Sequence, residues 1–293
     1  MKIKIYQVDA FTNQSYCGNA AGVVPYAEGL SDLQMQLIAK EMSLSETAFV
    51  FPGCKGYDFE VRFFTPTEEV DLCGHATIAT FSLLKELGII AADKRELIQK
   101  TKAGNLNIRF VENGSVLMRQ AEPVNIEYSV PFNELYSAMG VSLEEVGVKN
   151  LMNSPEIWST GLPDILLPLK SVEILKDLTP SMDELADLSR KLNVVGVHAF
   201  AIDEEDKVWC RNFAPAFGIP EESATGTSNG ALGACLQAKG WKSNEILSFV
   251  AHQGDWMKSP SRITVQVNAD SKPEVWVGGE AVIVLQGEIL LPK

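Results

Sequence analysis

Residues 62–77 read RFFTPTEEVDLCGHAT, and residues 211–227 read RNFAPAFGIPEESATGT. Both stretches begin with an arginine shortly before an aromatic residue and a proline, continue through a loop with two adjacent glutamates, and end on a small turn that contains one glycine. An apolar, helix-like segment follows each turn and ends at Gly88 in the first case and at Gly240 in the second. Because self-similarity over a long period indicates a duplicated architecture, the sequence predicts two similar halves.

The spacing upstream of these stretches supports the duplication. Residues 45–49 have a counterpart in residues 196–200, and the distance from the end of each segment to the glycine of its turn is 25 residues in the first half and 26 in the second. A looser match pairs residues 18–25 with residues 161–168. The strand-like pattern stops at Pro123. The last two strand-like segments of the chain are predicted to complete the first half. The predicted domains are therefore 1–124 plus 275–293, and 125–274.

Secondary-structure patterns indicate a mixed fold in which strands dominate. Apolar–polar alternation predicts strands, and a period of 3.6 residues predicts helices. The predicted strands include Lys2–Ala10, Ala48–Pro52, Asp58–Phe64, Leu106–Val111 and Ser115–Gln120, and the predicted helices include Asp32–Met42 and Ala76–Leu87. The sequence has no dinucleotide fingerprint, no P-loop and no strict strand–helix alternation, which disfavours a doubly wound parallel sheet.

Composition and charge exclude several classes of function. The formal net charge of −13 and the lack of a basic stripe disfavour nucleic-acid binding, because phosphate repulsion would have to be overcome. The N-terminal residues do not form the apolar segment of a signal peptide, and no run of about 18 apolar residues predicts a membrane span. Five widely spaced cysteines without a CxxC pair are typical of a reducing compartment, so we expect a cytoplasmic protein.

Two glycine turns, Cys73-Gly74-His75 and Thr225-Gly226-Thr227, each precede a predicted helix. The free N–H groups and positive dipole end at a helix start can receive a carboxylate or a developing oxyanion. An ordinary helix cap explains either turn taken alone. The pairing of the two turns in a repeat instead favours a binding site for a small carboxylate-bearing substrate, formed where the two helix starts converge on one cleft.

Glu46 lies between a predicted helix and an apolar strand, where a carboxylate has no obvious packing role. It is either a capping or surface group or a general acid/base. His75 stands at the first helix start, where the dipole disfavours its cationic form, so it is a candidate for binding or catalysis rather than for structure. The other two histidines, His198 and His252, lack such a setting and are interpreted as structural.

Further candidates stand around the two turns. Glu221 and Glu222 precede the second turn, and one of them is placed to reach the site; the alternative is a solvated acidic loop. Cys73 is a candidate thiol acid/base, because a helix start lowers a thiol pKa, but Thr225 at the equivalent position rules out a two-thiol mechanism. No His, Cys, Asp or Glu cluster has the sequence spacing of a metal site, and no nucleophile elbow supports a Ser-His-Asp triad.

The motifs resemble those of the PhzF-like phenazine-biosynthesis isomerase family, which has the diaminopimelate epimerase-like fold. The matching motifs are DAFT at 9–12, GN at 18–19, SET at 45–47, RFFTP at 62–66, DLCGHAT at 71–77, GIPE at 218–221, TGT at 225–227 and QG at 253–254. The resemblance implies an α+β fold with two pseudo-symmetric halves. Each half is a curved, mostly antiparallel sheet wrapped around a central helix, with the active site in the cleft between the halves, and the protein is commonly a homodimer without a cofactor.

The resemblance also implies residue roles. Glu46 moves the proton, while His75, Thr227 and Glu222 bind the substrate and Gly74 and Gly226 supply backbone donors. The family reaction converts a dihydro-hydroxyanthranilate to its keto tautomer.

This chain departs from the family pattern at two places. The phenazine enzymes have aspartate followed by proline where Glu222 and Ser223 stand, and usually Gly-Asn-Pro where Ala20 follows Gly18-Asn19. One added methylene in a site carboxylate moves its contacts beyond the tolerance of a catalytic site, so we expect the reaction type to be kept and the substrate to differ. An amino-acid epimerase and a non-catalytic binding protein are the alternatives.

Overall fold

The computed structural model describes residues 2–127, 131–148, 150–242, 245–268 and 272–291. Its contacts divide the chain into two compact units. Unit 1 comprises Met1–Arg119 with Gly278–Lys293, and unit 2 comprises Gln120–Val277. The predicted α+β class is confirmed, since strands dominate and few helices accompany them.

The helices and strands have the following bounds. The strands are β1 (Lys2–Ala10), β2 (Asn19–Val24), β3 (Thr47–Cys54), β4 (Tyr57–Phe64), β5 (Glu69–Val70), β6 (Glu96–Thr101), β7 (Gly104–Phe110), β8 (Val116–Arg119), β9 (Val124–Ile126), β10 (Glu156–Ser159), β11 (Pro163–Pro168), β12 (Val197–Ile202), β13 (Val208–Ala214), β14 (Ile219–Glu222), β15 (Ile246–Gln253), β16 (Ser261–Asn268), β17 (Val275–Gly279) and β18 (Ala281–Leu290). The helices are α1 (Asp32–Met42), α2 (Gly74–Glu86), α3 (Phe132–Met139), α4 (Val172–Lys176), α5 (Met182–Leu192) and α6 (Gly226–Ala238).

In unit 1 the first strand lies between the last strand and the second. β1 pairs antiparallel with both β18 and β2. The order then continues with a parallel β2–β3 pair, an antiparallel β3–β4 pair and a parallel β4–β6 pair, while the short β5 pairs antiparallel with β4. β6 pairs antiparallel with β7, and β7 pairs antiparallel with β8.

Unit 2 repeats this order of strand directions. β10 pairs antiparallel with β9 and β11, β11 pairs parallel with β12, and β12 pairs antiparallel with β13. β13 then pairs antiparallel with the short β14 and parallel with β15, which pairs antiparallel with β16. The identical sequence of parallel and antiparallel pairs shows that the two units share one topology, as the repeat predicts.

Each unit contains one central helix that is buried on nearly all sides. Nine of the 13 residues of α2 are buried, and so are nine of the 13 residues of α6. Strands β1, β2, β3, β8 and β18 all contact α2, and β10, β11, β15 and β16 contact α6. A sheet that wraps around a helix makes such contacts, and the apolar side chains of both helices account for their burial.

An equivalent ion pair precedes the glycine turn in each unit. The guanidinium of Arg62 on β4 donates to both carboxylate oxygens of Glu69 at 2.7 and 2.8 Å. In unit 2, Arg211 on β13 donates to both oxygens of Glu221 at 2.8 and 2.9 Å. Both pairs are mostly buried and bidentate, a geometry that fixes the acidic loop that leads into each turn.

Among the described residues, no helix is both long and apolar enough to cross a membrane.

Candidate active site

Glu46 lies in the short connection between α1 and β3. The helix ends at Met42, and Ser43 then adopts a left-handed conformation with φ of 53° that turns the chain. The carbonyl oxygen of Glu46 accepts a hydrogen bond from the N–H of Gly22 at 3.0 Å, which fixes the backbone of Glu46 against β2. A Cβ at Gly22 would stand 2.7 Å from the Thr47 hydroxyl, so the glycine permits this close approach of β2 to β3. The backbone of Glu46 is therefore tied to β2.

Glu46, Cys73 and His75 form a compact cluster, named here the Glu46 cluster. The Oε2 atom of Glu46 lies 3.2 Å from Nε2 of His75, and Cys73 Sγ lies 3.4 Å from Nδ1 of the same ring. The hydroxyl of Ser45 is also 3.2 Å from Nε2. The side chain of His75 is 7% exposed and that of Glu46 is 20% exposed, so the cluster is largely withdrawn from water. The structure brings three predicted site residues into contact.

Burial determines the charge of His75. Loss of hydration lowers its pKa, and the nearby carboxylate of Glu46 raises it by a smaller amount, so the net direction is downward. The ring is therefore neutral near pH 7. Nε2 of His75 lies within hydrogen-bond distance of the Ser45 hydroxyl and Nδ1 within that distance of the Cys73 thiol. Oε2 of Glu46 lies near Nε2 but is buried without a hydrogen-bond partner among the described residues.

The cluster stands at the first turn of α2. Cys73 is the N-cap residue, and its carbonyl oxygen accepts from the N–H of Thr77 at 3.0 Å and from the Thr77 hydroxyl at 2.8 Å. A Cβ at Gly74 would meet only the Cε of Met118, at 3.8 Å, so glycine is not required there for space within the unit. Because the first N–H groups of a helix lack a partner within the helix, the start of α2 can receive an anionic oxygen.

The Glu46 cluster also contains three atom types that bind transition metals. One carboxylate oxygen, one imidazole nitrogen and one thiol sulfur all lie within 4.8 Å of one another. The sequence spacing does not reveal this set, because Glu46 precedes Cys73 by 27 residues and only the fold brings them together. Zinc uses these ligand types.

The second set of predicted site residues lies in unit 2, at the start of α6. The hydroxyl of Thr225, the N-cap residue, donates to Oε2 of Glu222 at 2.7 Å. Gly226 and Thr227 are half-buried and open the helix, and the carbonyl oxygen of Thr227 accepts from the Thr160 hydroxyl at 3.0 Å. Within unit 2, the structure therefore brings Glu222 and the glycine turn together.

A buried glutamine fixes this arrangement. Gln253, at the end of β15, donates from its amide to the carbonyl oxygen of Glu222 at 2.7 Å and contacts the Thr225 hydroxyl at 3.1 Å. Its amide oxygen accepts from the N–H of Thr225 and from the side chain of Asn229. The next residue, Gly254, has φ of 78°, and a Cβ there would stand 2.7 Å from the carbonyl oxygen of Ser223. Residues 253 and 254 thus hold the loop that carries Glu222 in place, and this arrangement is named here the Gln253 clamp.

Replacing Gln253 with leucine is expected to lower the free energy of unfolding by about 1–3 kcal/mol, because the substitution leaves buried partners unsatisfied. If Glu222 binds substrate, the same change raises KM more than it lowers kcat, since the carboxylate loses its fixed position. Chemical denaturation and steady-state kinetics measure the two effects. The matched control is Gln266→Leu, at a half-buried position on the neighbouring strand β16. Equal loss of stability in both variants would contradict the clamp.

The remaining predicted candidates have other partners. Glu221 is bound by Arg211, so Glu222 is the acidic residue that stands next to the turn. His198 is buried and its Nδ1 lies 3.0 Å from Oδ1 of Asn212. His252 stacks against Trp209, with ring centroids 4.6 Å apart. These partners agree with the structural interpretation of both histidines.

Sequence reasoning missed several polar residues beside the two turns. Ser45 and Gln253 belong to the motifs that carry the family resemblance. The sequence therefore singled out both positions but assigned a function to neither residue. No signal in the sequence indicates Asp164, a buried carboxylate on β11 that accepts from the Ser228 hydroxyl at 2.6 Å. Burial raises the pKa of Asp164 to about 6, and its other oxygen has no hydrogen-bond partner in the described part of the chain.

Comparison with known proteins defines the class. Residues 8–287 match the family described as phenazine biosynthesis-like protein, PhzC-PhzF. An uncharacterized isomerase of Clostridium acetobutylicum is 36% identical over 307 residues and covers 99% of each chain, and an uncharacterized isomerase of Escherichia coli K12 is 34% identical over 98% of each chain. The relatives support an isomerase or epimerase type of activity.

Solved structures agree with this class. A phenazine biosynthesis protein of the PhzF family from Bacillus anthracis superposes with a TM-score of 0.88 at 30% identity, covering 99% of this chain and 100% of that chain. A hydroxyproline epimerase from Agrobacterium vitis, 14% identical with a TM-score of 0.62, shares the fold. The chain belongs to the PhzF family and has the diaminopimelate epimerase-like fold.

Proposed function

We propose that this protein is a cofactor-independent isomerase that moves a proton on a small carboxylate-bearing substrate, with Glu46 as the general acid/base. The observation that carries the proposal is the position of the Glu46 carboxylate. It is fixed by the backbone, mostly buried, and 3.2 Å from the neutral imidazole of His75. A structural carboxylate at this depth would be expected to pair with a cation, whereas this one lies beside a neutral imidazole and its buried Oε2 has no hydrogen-bond partner among the described residues.

The proposed chemistry needs only groups of the protein. Glu46 takes a proton from a substrate carbon, so that a C–H bond breaks, an O–H bond forms, and the electron pair remains on the substrate as an extended enolate. The same carboxylic acid then returns the proton to a different carbon. A general base contributes most when it lies within hydrogen-bond reach of the proton, and the rigid connection before β3 provides that positioning.

His75 and the start of α2 stabilise the negative charge that develops on the substrate. His75 lies beside Glu46 and presents a neutral ring to the carboxylate that removes the proton. The N–H groups of Gly74 and its neighbours stabilise an oxyanion or a substrate carboxylate. Cys73 lies beside His75 and contacts the same substrate. These roles place the anionic part of the substrate over the first turn of α2.

Glu222, Gly226 and Thr227 are proposed as further substrate-binding groups in unit 2. Glu222 is held by Thr225 and by the Gln253 clamp, and the start of α6 offers the same kind of anion receptor as α2. Because the family reaction uses an aspartate where Glu222 stands, we propose that the natural substrate differs from the dihydro-hydroxyanthranilate of the phenazine enzymes. A cytoplasmic homodimer that binds neither nucleic acid nor membrane stays a prediction.

The test is isotope exchange in heavy water. The protein is incubated with a dihydro-hydroxyanthranilate, diaminopimelate and the proline isomers, and each compound is followed by mass spectrometry and chiral chromatography. Gain of deuterium with movement of a double bond supports the isomerase. Gain of deuterium with inversion at a carbon, and no movement of a double bond, favours the epimerase alternative. If none of these compounds gains deuterium, the result would favour the non-catalytic binding protein.

A further inference from the structure

We propose that Cys73 is a positioning residue for His75. The thiol of Cys73 donates a hydrogen bond to Nδ1 of the ring and so keeps the ring proton on Nε2, the nitrogen beside Ser45 and Glu46. That proton is then offered to the substrate oxygen on which negative charge develops. The placement of the ring proton follows from the contacts around the ring, and only its use in catalysis rests on the proposed function.

The two ring nitrogens of His75 have different surroundings. Sγ of Cys73 lies 3.4 Å from Nδ1 and 3.9 Å from Nε2, so the thiol faces Nδ1. Nε2 instead lies 3.2 Å from the Ser45 hydroxyl and 3.2 Å from Oε2 of Glu46. A sulfur atom therefore stands at one end of the imidazole and two oxygen atoms stand at the other.

The charge of Glu46 determines which nitrogen carries the proton. A neutral imidazole has one N–H donor and one lone pair, and the Ser45 hydroxyl suits either, because it can accept or donate. Oε2 of Glu46 is buried and has no hydrogen-bond partner among the described residues, but its negative charge lies close to Nε2. In a buried setting this charge attracts an N–H group and repels a lone pair. The ionised carboxylate, which is the form that acts as a base, thus favours the proton on Nε2.

With the proton on Nε2, the lone pair on Nδ1 needs a donor. The thiol of Cys73 is the group that faces this nitrogen, and its S–H can donate. Cys73 is 8% exposed and His75 is 7% exposed, so water competes little for the bond. Because a buried acceptor without a donor is costly, the thiol stabilises the ring form that carries its proton on Nε2.

The direction of the thiol is unusual for its place in the helix. Cys73 is the N-cap residue of α2, a position whose side chain commonly accepts from an N–H of the first turn, but the Cys73 side chain makes no such bond. Thr225, the N-cap residue of α6, makes none either, and its hydroxyl donates to Oε2 of Glu222 at 2.7 Å. In each unit, the N-cap side chain is therefore turned toward a residue proposed to bind substrate.

The experiment is nuclear magnetic resonance spectroscopy of the full chain with ¹⁵N in its histidine rings. Long-range proton–nitrogen correlation spectra distinguish a ring nitrogen that carries a proton from one that has a lone pair. The chain has three histidines, so His75→Asn assigns the His75 signals by their loss. We expect the wild-type ring to be neutral at pH 7, with its proton on Nε2. A proton on Nδ1 would overturn the proposal.

Cys73→Ala removes the donor and tests the role of the thiol. The Nδ1 signal of His75 should shift, and the ratio of the Nδ1–H form to the Nε2–H form should rise about fivefold, which corresponds to loss of a typical hydrogen bond. Cys73→Ser supplies a hydroxyl donor and should restore the wild-type form. Cys54→Ala, at an exposed cysteine outside the cluster, should leave all three rings unchanged. Wild-type His75 signals in Cys73→Ala, verified as folded by circular dichroism, would overturn the role of Cys73.

The use of the proton in catalysis is tested with a substrate that isotope exchange identifies. If Nε2 donates to the developing oxyanion, Cys73→Ala should lower kcat about fivefold with little change in KM, because the bond strengthens in the transition state. Cys73→Ser should recover most of the lost rate. A wild-type kcat in Cys73→Ala would overturn this part. The spectra require no substrate, so they test the placement of the ring proton even if the proposed isomerase activity is wrong.

Discussion

The Glu46→Gln variant is expected to exchange deuterium into the accepted substrate about 10²–10⁴ times more slowly than the wild-type protein, the usual contribution of a positioned general acid/base. Glutamine keeps the size of the side chain, but an amide cannot take a proton from carbon. The position before β3 is set by backbone contacts, chiefly the bond from Gly22 to the Glu46 carbonyl, so the fold should be unchanged. Mass spectrometry of the substrate over time gives both rates.

The matched control is Glu41→Gln, which removes an exposed carboxylate from the same helix–strand region without touching the Glu46 cluster. We expect this variant to keep the wild-type rate. Glu46→Asp keeps the carboxylate but withdraws it by one methylene, and it should retain part of the activity. Glu46→Gln activity above about one tenth of the wild-type rate would contradict the role of Glu46 as the proton carrier.

The pair of buried groups in unit 2, Asp164 and His198, is expected to produce two large and opposite dependences of stability on pH. Burial raises the pKa of Asp164 to about 6 and lowers the pKa of His198 to about 4. Each value lies about two units from that of the unfolded chain, which corresponds to about 3 kcal/mol for each residue. Because the two contributions oppose each other, they nearly cancel in the wild-type protein.

The signs follow from proton binding. Native Asp164 binds a proton more tightly than the unfolded chain does, so its stabilising contribution is present at about pH 4 and is lost as the pH rises through about 6. Native His198 binds a proton less tightly, so its contribution is present above about pH 6.5 and is lost as the pH falls through about 4. Variants of each residue alone separate the two contributions to stability.

Asp164→Asn keeps an acceptor for the Ser228 hydroxyl and removes the ionisable group. The difference in free energy of unfolding, variant minus wild type, should rise by about 3 kcal/mol between pH 4 and pH 7. For His198→Asn, which keeps a donor toward Asn212, the same difference should fall by about as much. Urea denaturation at several pH values measures both. Differences that do not vary with pH in either variant would contradict the assigned pKa directions.

Much of the fold follows from the sequence. The bounds of β1 and α1 agree residue by residue with their prediction, because apolar–polar alternation in one and an apolar stripe in the other leave little ambiguity. The predicted start of α2 at Ala76 is wrong, since the helix begins at Gly74. The glycine and histidine have weak helix propensity, but they occupy the first turn, where capping and not propensity decides the boundary.

The content of the site was less accessible to sequence reasoning. Glu46, Cys73 and His75 were all predicted, but their mutual contacts depend on the parallel pairing of β2 with β3 and on the start of α2, which no local pattern encodes. For the same reason, the sequence spacing did not indicate that the three side chains form one cluster. The Gln253 clamp and the buried Asp164 are tertiary features, because their partners are distant in the chain.

The role of Glu46 is tested most directly by a side-by-side incubation of the wild-type protein and Glu46→Gln in heavy water with the same set of candidate substrates. If Glu46 carries the proton, at least one carboxylate-bearing compound gains deuterium with the wild-type protein and not with the variant. Equal deuterium gain with both proteins would show that another group moves the proton and would contradict the assignment of Glu46.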